Sequence, residues 1–69
     1  MEEIELIKRF TYHAPKNDQA SRYEQIRKNT HSLAEMYDIL APDSREKSLA
    51  ITKLEEAVMW ANAAIARNE

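Results

Sequence analysis

The side chains best suited to bind a ligand are an aromatic pair and a basic cluster in the first half of the chain. Tyr12 and His13 lie in a polar stretch over residues 11–18. Basic and amide side chains follow it: Arg22, Arg27, Lys28 and Asn29. An aromatic ring can stack on a base, and arginine makes planar, paired hydrogen bonds to phosphate. These residues could therefore bind a nucleotide, although a Tyr12 that packs back on the helices and a solvated basic face are the simpler interpretations.

Residue types for catalysis or metal binding are sparse. The chain has no cysteine and no glycine, which removes thiolate nucleophiles, thiolate metal sites and glycine-rich phosphate loops. His13 and His31 are isolated from each other, and the Glu-x-x-His pattern of di-metal helix bundles does not occur. We therefore predict that the protein is not an enzyme and has no metal site and no cofactor.

The aromatic pair is positioned by a short helix before it and a long helix after it. Ile4, Ile7 and Phe10 recur at helical spacing and predict a helix over residues 2–10. Residues 11–17 form a loop that contains Pro15, and Asn17 or Asp18 is a natural N-cap for the next helix. That helix is predicted over residues 18–41 from apolar and small residues at helical spacing: Tyr23, Ile26, Thr30, Leu33, Ala34, Tyr37 and Leu40 or Ala41.

A proline separates this helix from the last one. Pro42 ends the long helix near Leu40, and Asp43 with Glu46 has the spacing of a capping box that starts a helix over residues 44–68. A connection this short makes the two helices antiparallel neighbours. We therefore predict an all-α fold, a single helical-hairpin domain over residues 1–69 in which a short N-terminal helix precedes an antiparallel two-helix hairpin.

The last helix has more apolar surface than one neighbour can cover. Residues 57–66 contain one polar residue in ten, and a helix that is apolar on nearly every side must be buried all round. A chain of 69 residues without disulfides forms only a marginal domain on its own. We predict an obligate homo-oligomer whose interface includes Val58, Trp60, Ala61 and Ile65, although Trp60 could also serve as a stacking platform.

Charge and hydropathy limit the partners and the location. The net charge of −2 argues against a protein that coats DNA or RNA polymers, which is usually basic. No apolar stretch approaches the roughly 20 residues that span a bilayer, and the acidic N-terminus lacks the apolar run of a signal peptide. We expect a cytoplasmic protein without a membrane partner.

Three segments carry a resemblance to a known family. They are FTYHAP at residues 10–15, the pairs Arg22-Tyr23 and Ile26-Arg27, and SREKSLAITKLEEAVMWANAAIARN at residues 44–68. Over nearly its whole length the chain resembles the phage helical-hairpin family that includes the anti-CBASS cyclic-nucleotide sponge and the Thoeris anti-defence sponge. The resemblance implies an interlocked homo-oligomer, a hexamer, that binds cyclic di- or trinucleotides, or cyclic ADP-ribose isomers, between protomers in the cytoplasm of the infected bacterium. Such a protein blocks CBASS or Thoeris immunity by holding the signal without cleaving it.

The resemblance also implies roles for particular residues. Tyr12 matches the tyrosine that stacks on a base, either Arg27 or Lys28 matches the phosphate-binding residue, and His13 contacts the ligand or braces Tyr12. Arg67 would serve a second pocket for trinucleotides. The strand insertion frequent in the Thoeris branch has no room here, which favours cyclic oligonucleotides over ADP-ribose isomers. The competing hypothesis is a small helical oligomerisation or regulatory module with no small-molecule ligand, whose basic helix touches a partner protein or nucleic acid.

Overall fold

A computed structural model describes residues 1–69 as three helices with no strand. Helix α1 spans Glu3–Phe10, α2 spans Gln19–Leu40 and α3 spans Arg45–Asn68. Helices α2 and α3 pack along each other as a hairpin, and α1 precedes them. The predicted all-α class is confirmed. Helices α1 and α3 begin one residue later than predicted, and α2 is one residue shorter at each end, because the predicted ranges included the capping residues.

Each long helix turns one stripe of half-buried side chains toward the other. On α3 the stripe consists of Ile51, Leu54, Val58, Ala61 and Ile65. On α2 it consists of Tyr23, Ile26, Thr30, Ala34 and Tyr37. Steps of three and four residues keep each set on one side of its helix. At the end of α2 the stripe continues with Ala41, which is half-buried, and not with Leu40, which is exposed.

Ser44 begins α3, and the predicted capping box with Asp43 at its head is wrong. The backbone of Ser44 is extended, and its hydroxyl accepts a hydrogen bond from the Lys47 N–H at 3.1 Å. This bond satisfies one of the N–H groups that the first turn of a helix leaves without a partner. Asp43 lies one residue too early to reach that turn, and its carboxylate instead pairs with the Lys47 ammonium.

The Lys47 side chain ties the start of α3 to the end of α2. Its ammonium donates hydrogen bonds to the carbonyl oxygens of Asp38 at 3.0 Å and Ala41 at 3.3 Å. The Asp38 carbonyl would ordinarily accept from the N–H four residues on, which Pro42 lacks. The ammonium also pairs with the Asp43 and Asp38 carboxylates, which raise the pKa of Lys47 above its usual value. The helix break that the proline imposes is therefore closed by a lysine from the next helix.

Asp18, one of the two predicted N-cap residues, occupies the N-cap position of α2, but a tight turn rather than a side-chain hydrogen bond closes the start of the helix. Asp18 makes no capping hydrogen bond, and its carboxylate pairs with Arg22 at 3.2 Å. Asn17 has a positive φ of 54°, a conformation that asparagine tolerates better than most residues. The turn is closed by the Gln19 N–H, which donates to the Lys16 carbonyl oxygen at 3.0 Å.

The hairpin forms a single layer and encloses no apolar core. The chain measures 45 × 30 × 12 Å, and its smallest dimension is about the diameter of one helix with its side chains. No apolar residue is buried, and Gln19 is the one residue that is. The accessible surface is 5617 Å², against about 4,500 Å² expected for a globular monomer of this mass. No helix has the length and apolar character needed to cross a membrane.

We predict that Ser44→Ala destabilises the hairpin by about 1 kcal/mol, because it removes the N-cap hydrogen bond of α3. For a domain of this size the melting temperature should fall by roughly 4–8 °C, measured by circular dichroism at a fixed protein concentration. Asp43→Ala is the matched control and should cost less, since Lys47 retains Asp38 and two carbonyl oxygens. A larger loss from Asp43→Ala than from Ser44→Ala would contradict this assignment of the cap.

Candidate functional site

An open cleft lies at the end of the hairpin that is farther from the α2–α3 turn. The three helices and the loop after α1 line it. Its volume is about 420 Å³, within the range of pockets that hold small ligands. The lining residues come from α1, the loop, α2 and α3: Arg9, Thr11, Tyr12, His13, Pro15, Tyr23, Arg27, Asn62, Ala63, Ala66 and Arg67. Four of the five predicted ligand-binding residues, Tyr12, His13, Arg27 and Arg67, therefore lie around one cavity.

Tyr12 and His13 play different structural parts in this cleft. Tyr12 is 83% exposed, so its ring does not pack back on the helices and both the ring and the hydroxyl are free for contacts from outside. His13 is half-buried, and its Nε2–H donates to the Lys8 carbonyl oxygen at 3.4 Å. That bond ties the loop to the last turn of α1.

Two guanidinium groups on opposite helices supply positive charge without a partner in the chain. Arg27 of α2 and Arg67 of α3 both line the cleft, and neither forms an ion pair or a side-chain hydrogen bond with another residue of the chain. Arg9 is the third arginine of the lining and lies 3.7 Å from the Glu5 carboxylate. No aspartate or glutamate lines the cleft. A protein with net charge −2 thus has a local site that suits an anion.

Lys28 is the predicted ligand-binding residue that the structure places elsewhere. Its ammonium pairs with Glu24 at 2.8 Å, its side chain is 74% exposed, and it lines none of the cavities. Consecutive residues on a helix point about 100° apart, so Arg27 and Lys28 cannot both face the same cleft. Between the two alternatives that the sequence left open, the geometry brings Arg27 to Tyr12.

Sequence reasoning missed four polar residues of the lining, namely Arg9, Thr11, Tyr23 and Asn62. Tyr23 was assigned only to the packing stripe of α2, yet its hydroxyl oxygen is buried without a hydrogen-bond partner beside the cleft. Asn62 Oδ1 is also buried without a partner. Asn62 carried a usable signal, since it is the one polar residue in the apolar run over residues 57–66. A polar side chain in such a run calls for a polar neighbour or a ligand.

A polar cluster of Gln19, Arg22 and Glu69, the Glu69 cluster, joins the end of α3 to the start of α2. The Arg22 guanidinium donates to both Glu69 carboxylate oxygens, with Nη1 to Oε2 at 2.8 Å. Gln19 is 3% exposed, and its Nε2–H donates to Glu69 Oε1 at 3.3 Å. Hydrogen bonds from Arg22 and then Gln19 hold the pKa of Glu69 at about 2, below its usual 4.5. The same contact raises the pKa of Arg22.

The residues predicted for the oligomer interface divide into two groups. Val58, Ala61 and Ile65 are half-buried and belong to the stripe that faces α2. Trp60 lies outside that stripe, is 63% exposed, and donates its Nε1–H to Glu56 Oε1 at 3.4 Å. Met59 beside it is exposed as well. The surface of α3 that nothing in the chain covers is therefore centred on Trp60.

A family model described as "Acb2/Tad1, hairpin domain" matches residues 2–66, almost the whole chain. The match covers α1, α2, the loop that carries Tyr12 and all but the last two residues of α3. No curated protein and no solved structure matches the chain significantly.

We predict that Glu69→Gln lowers the melting temperature near pH 7 and that the difference from the unaltered protein disappears in acid. The pKa of Glu69 is lowered by folding, so its stabilising effect is complete above the usual pKa of 4.5 and is lost as the pH falls through about 2. Thermal unfolding followed by circular dichroism between pH 7 and pH 2 measures both curves.

Glu55→Gln is the matched control, since the Glu55 carboxylate is on the same helix and forms no ion pair. It should leave the melting temperature near pH 7 almost unchanged. A difference between Glu69→Gln and the unaltered protein that is as large at pH 2 as at pH 7 would show that the substitution acts by something other than the loss of the carboxylate charge.

Proposed function

The chain belongs to the Acb2/Tad1 hairpin-domain family, and we propose that it is a phage anti-defence protein that sequesters cyclic nucleotide immune signals. Its ligands in this proposal are cyclic di- or trinucleotides, with cyclic ADP-ribose isomers as a further class, and it blocks CBASS or Thoeris immunity from the cytoplasm of the infected bacterium. The family is one of binding proteins rather than enzymes, and the proposal includes no cofactor.

The observation that carries the proposal is the meeting of Tyr12 with Arg27 and Arg67 around one cleft. An exposed tyrosine ring can stack on a base of any identity. Two guanidinium groups without partners can donate paired, charge-assisted hydrogen bonds to phosphate oxygens. A cyclic oligonucleotide carries bases and phosphates on one rigid ring. The cleft offers the tyrosine ring to a base and the guanidinium groups to a phosphate.

An oligomer is part of the proposed mechanism. The cleft of one chain is open, and Tyr12 is 83% exposed, so a single chain covers one side of a ligand. In a symmetric oligomer the same cleft would recur on a neighbouring chain, and a ligand with two bases and two phosphates could be held from both sides. The exposed surface around Trp60 and the absence of an apolar core both favour association with further copies of the chain. We propose a homohexamer, as in the family that the sequence resembles.

Holding the signal without cleaving it agrees with the lining of the cleft. No carboxylate is present there to activate a water or protonate a leaving group. His13 is the one histidine of the lining, and its Nε2–H is already donated to the Lys8 carbonyl oxygen. Enclosure between rigid subunits would favour slow release, which is what sequestration requires.

The alternative function is a helical oligomerisation or regulatory module with no small ligand. The exposed apolar residues of α1 and α3, among them Phe10 and Trp60, favour an assembly of some kind under either hypothesis. The two hypotheses differ at Tyr12. If the protein were only an assembly module, the exposed tyrosine beside two arginines without partners would bind no ligand. Its replacement would then have little effect on the function or the assembly of the protein.

We predict that the protein binds at least one member of a panel of cyclic dinucleotides, cyclic trinucleotides and cyclic ADP-ribose isomers, and that the ligand is recovered intact after denaturation. Tyr12→Ala should weaken binding by about 10- to 100-fold, because stacking on one base contributes about 1–3 kcal/mol. Calorimetric titration measures the affinity, and chromatography of the released ligand tests for cleavage.

Tyr12→Phe is the control that retains the stacking ring, and it should bind nearly as well as the unaltered protein. Size-exclusion chromatography with light scattering should find the same oligomer for all three proteins. Recovery of a cleaved ligand would make the protein an enzyme. An absence of binding across the whole panel would leave the assembly module as the better hypothesis.

We also predict that Arg27→Ala weakens ligand binding at least tenfold, whereas Lys28→Ala changes it less than twofold. The two residues are adjacent in sequence and both carry one positive charge, but only Arg27 lines the cleft. Loss of a charge-assisted contact to phosphate accounts for the expected size of the effect. Calorimetry at two salt concentrations should show a smaller salt dependence for Arg27→Ala alone. Equal effects of both substitutions would mean that general positive charge, and not the cleft, attracts the ligand.

A further inference from the structure

We infer that Glu69, through Gln19 and Arg22, is a positioning residue that sets the distance between the two walls of the cleft. One wall is the loop over residues 11–18, which carries Tyr12, and the other is the last turn of α3, which carries Arg67. Glu69 follows directly after that turn. This role adds to the proposed function and rests on it, because the spacing of the two walls affects affinity only if the cleft binds a ligand.

The loop has no apolar packing that could hold it in place. Tyr12 and Phe10 are exposed, no residue of α1 is buried, and α1 does not pack along either long helix. Polar contacts at its two ends must therefore determine where the loop lies. At its beginning, the contact is the His13 hydrogen bond to the Lys8 carbonyl oxygen. At its end, it is the turn between Lys16 and Gln19.

The end of the loop is bound to α3 by the one buried residue of the chain. Gln19 Oε1 accepts a hydrogen bond from the Lys16 N–H at 3.1 Å, and Gln19 Nε2–H donates to the Glu69 carboxylate. A single side chain thus bridges the loop backbone and the end of α3. Arg22 holds the same carboxylate through both of its terminal nitrogens, so the carboxylate is fixed in orientation as well as in position.

The beginning of the loop is bound to the same end of α3 by a second, weaker connection. The Lys8 ammonium donates to Asn68 Oδ1 at 2.9 Å, and Asn68 Nδ2–H donates back to the Ala64 carbonyl oxygen at 2.9 Å. The Lys8–Asn68 contact is exposed, and contacts of that kind contribute little individually. Both ends of the loop therefore converge on residues 68–69, with the Glu69 cluster as the stronger of the two connections.

This arrangement makes the affinity of the site depend on residues that no ligand needs to touch. None of the Glu69 cluster lines the cleft. If the loop were released from α3, Tyr12 and Arg67 would no longer be held at one spacing. Binding of a rigid cyclic ligand would then be weakened by the entropy lost in ordering them. Residues that act on a site through packing and hydrogen bonds shift binding by about 2- to 30-fold.

The test compares Glu69→Ala, Arg22→Glu and the double variant Arg22→Glu/Glu69→Arg, with Lys53→Ala as control. The control breaks an ion pair of α3, Lys53–Glu56 at 3.3 Å, which does not involve the loop. Two readouts are needed. Amide hydrogen exchange at Lys16 and Gln19, followed by NMR without ligand, reports whether the loop is held. Calorimetry with the tightest cyclic nucleotide of the panel reports the affinity, and light scattering confirms the same oligomer.

We expect Glu69→Ala and Arg22→Glu to speed exchange at Lys16 and Gln19 and to weaken binding about tenfold. The double variant should recover a large part of both, since the charge pair is restored in reverse, and Lys53→Ala should change neither. Unchanged exchange, or faster exchange with unchanged affinity, would overturn the inference. If a single variant no longer formed the oligomer, the double variant would decide the question. Failure of the double variant to recover either the slow exchange or the affinity would also overturn the inference.

The two hypotheses fail separately in this design. A protein that binds no cyclic nucleotide, yet exchanges faster at Lys16 in Glu69→Ala, would refute the proposed function while the Glu69 cluster still positions the loop. A protein that binds the ligand with the same affinity in every variant would refute the positioning role and leave the proposed function intact.

Discussion

Two helices that pack in one layer cannot enclose an apolar core, and the rest of this structure follows from that constraint. Each helix of the hairpin has a single neighbour along its length, so its other sides face outward. The consequence is a chain 12 Å thick in which no apolar side chain is buried. The hydrophobic effect, which normally dominates folding, can contribute in full only when further surfaces cover the hairpin. The second half of α3, which is apolar on nearly every side over residues 57–66, is where the sequence shows that need.

In the absence of a core, polar contacts define the geometry at both ends of the hairpin. At the closed end, Lys47 binds two carbonyl oxygens that the Pro42 break leaves exposed. At the open end, Glu69 is held by Arg22 and by the buried amide of Gln19. Such contacts are directional, so they specify where elements lie even where they add little to the free energy of unfolding. These contacts therefore fix the two ends of the hairpin, while the apolar stripes hold α2 and α3 together along their length.

The cleft lies at the open end because only there do three helices and a loop come together. The side chains proposed to bind the ligand come from separate elements: Tyr12 from the loop, Arg27 from α2 and Arg67 from α3. A site assembled in this way depends on the relative placement of its parts, and in this chain that placement rests on few contacts. The same openness that exposes Tyr12 leaves room for a second chain to complete the enclosure of a ligand, which links the binding proposal to the oligomer proposal.

The pattern of residues by itself determined the number of helices, the break at Pro42, the stripes through which α2 and α3 meet, and the candidacy of Tyr12, His13 and Arg27, whereas Arg67 was a candidate only through the family resemblance. Helical periodicity and proline chemistry are local, so they can be read without knowing the fold. The sequence could not choose between Arg27 and Lys28, or between Leu40 and Ala41, because a rotation of about 100° per residue decides which neighbour faces inward. It misplaced the cap of α3 by one residue, since Asp43 and Ser44 are both good caps and only the backbone path shows which hydroxyl or carboxylate reaches the first turn. Tertiary structure alone brought Asn62, Tyr23 and Arg9 to the cleft and joined Glu69 to Gln19, because those contacts link residues far apart in the chain, whose meeting depends on how the helices lie against one another.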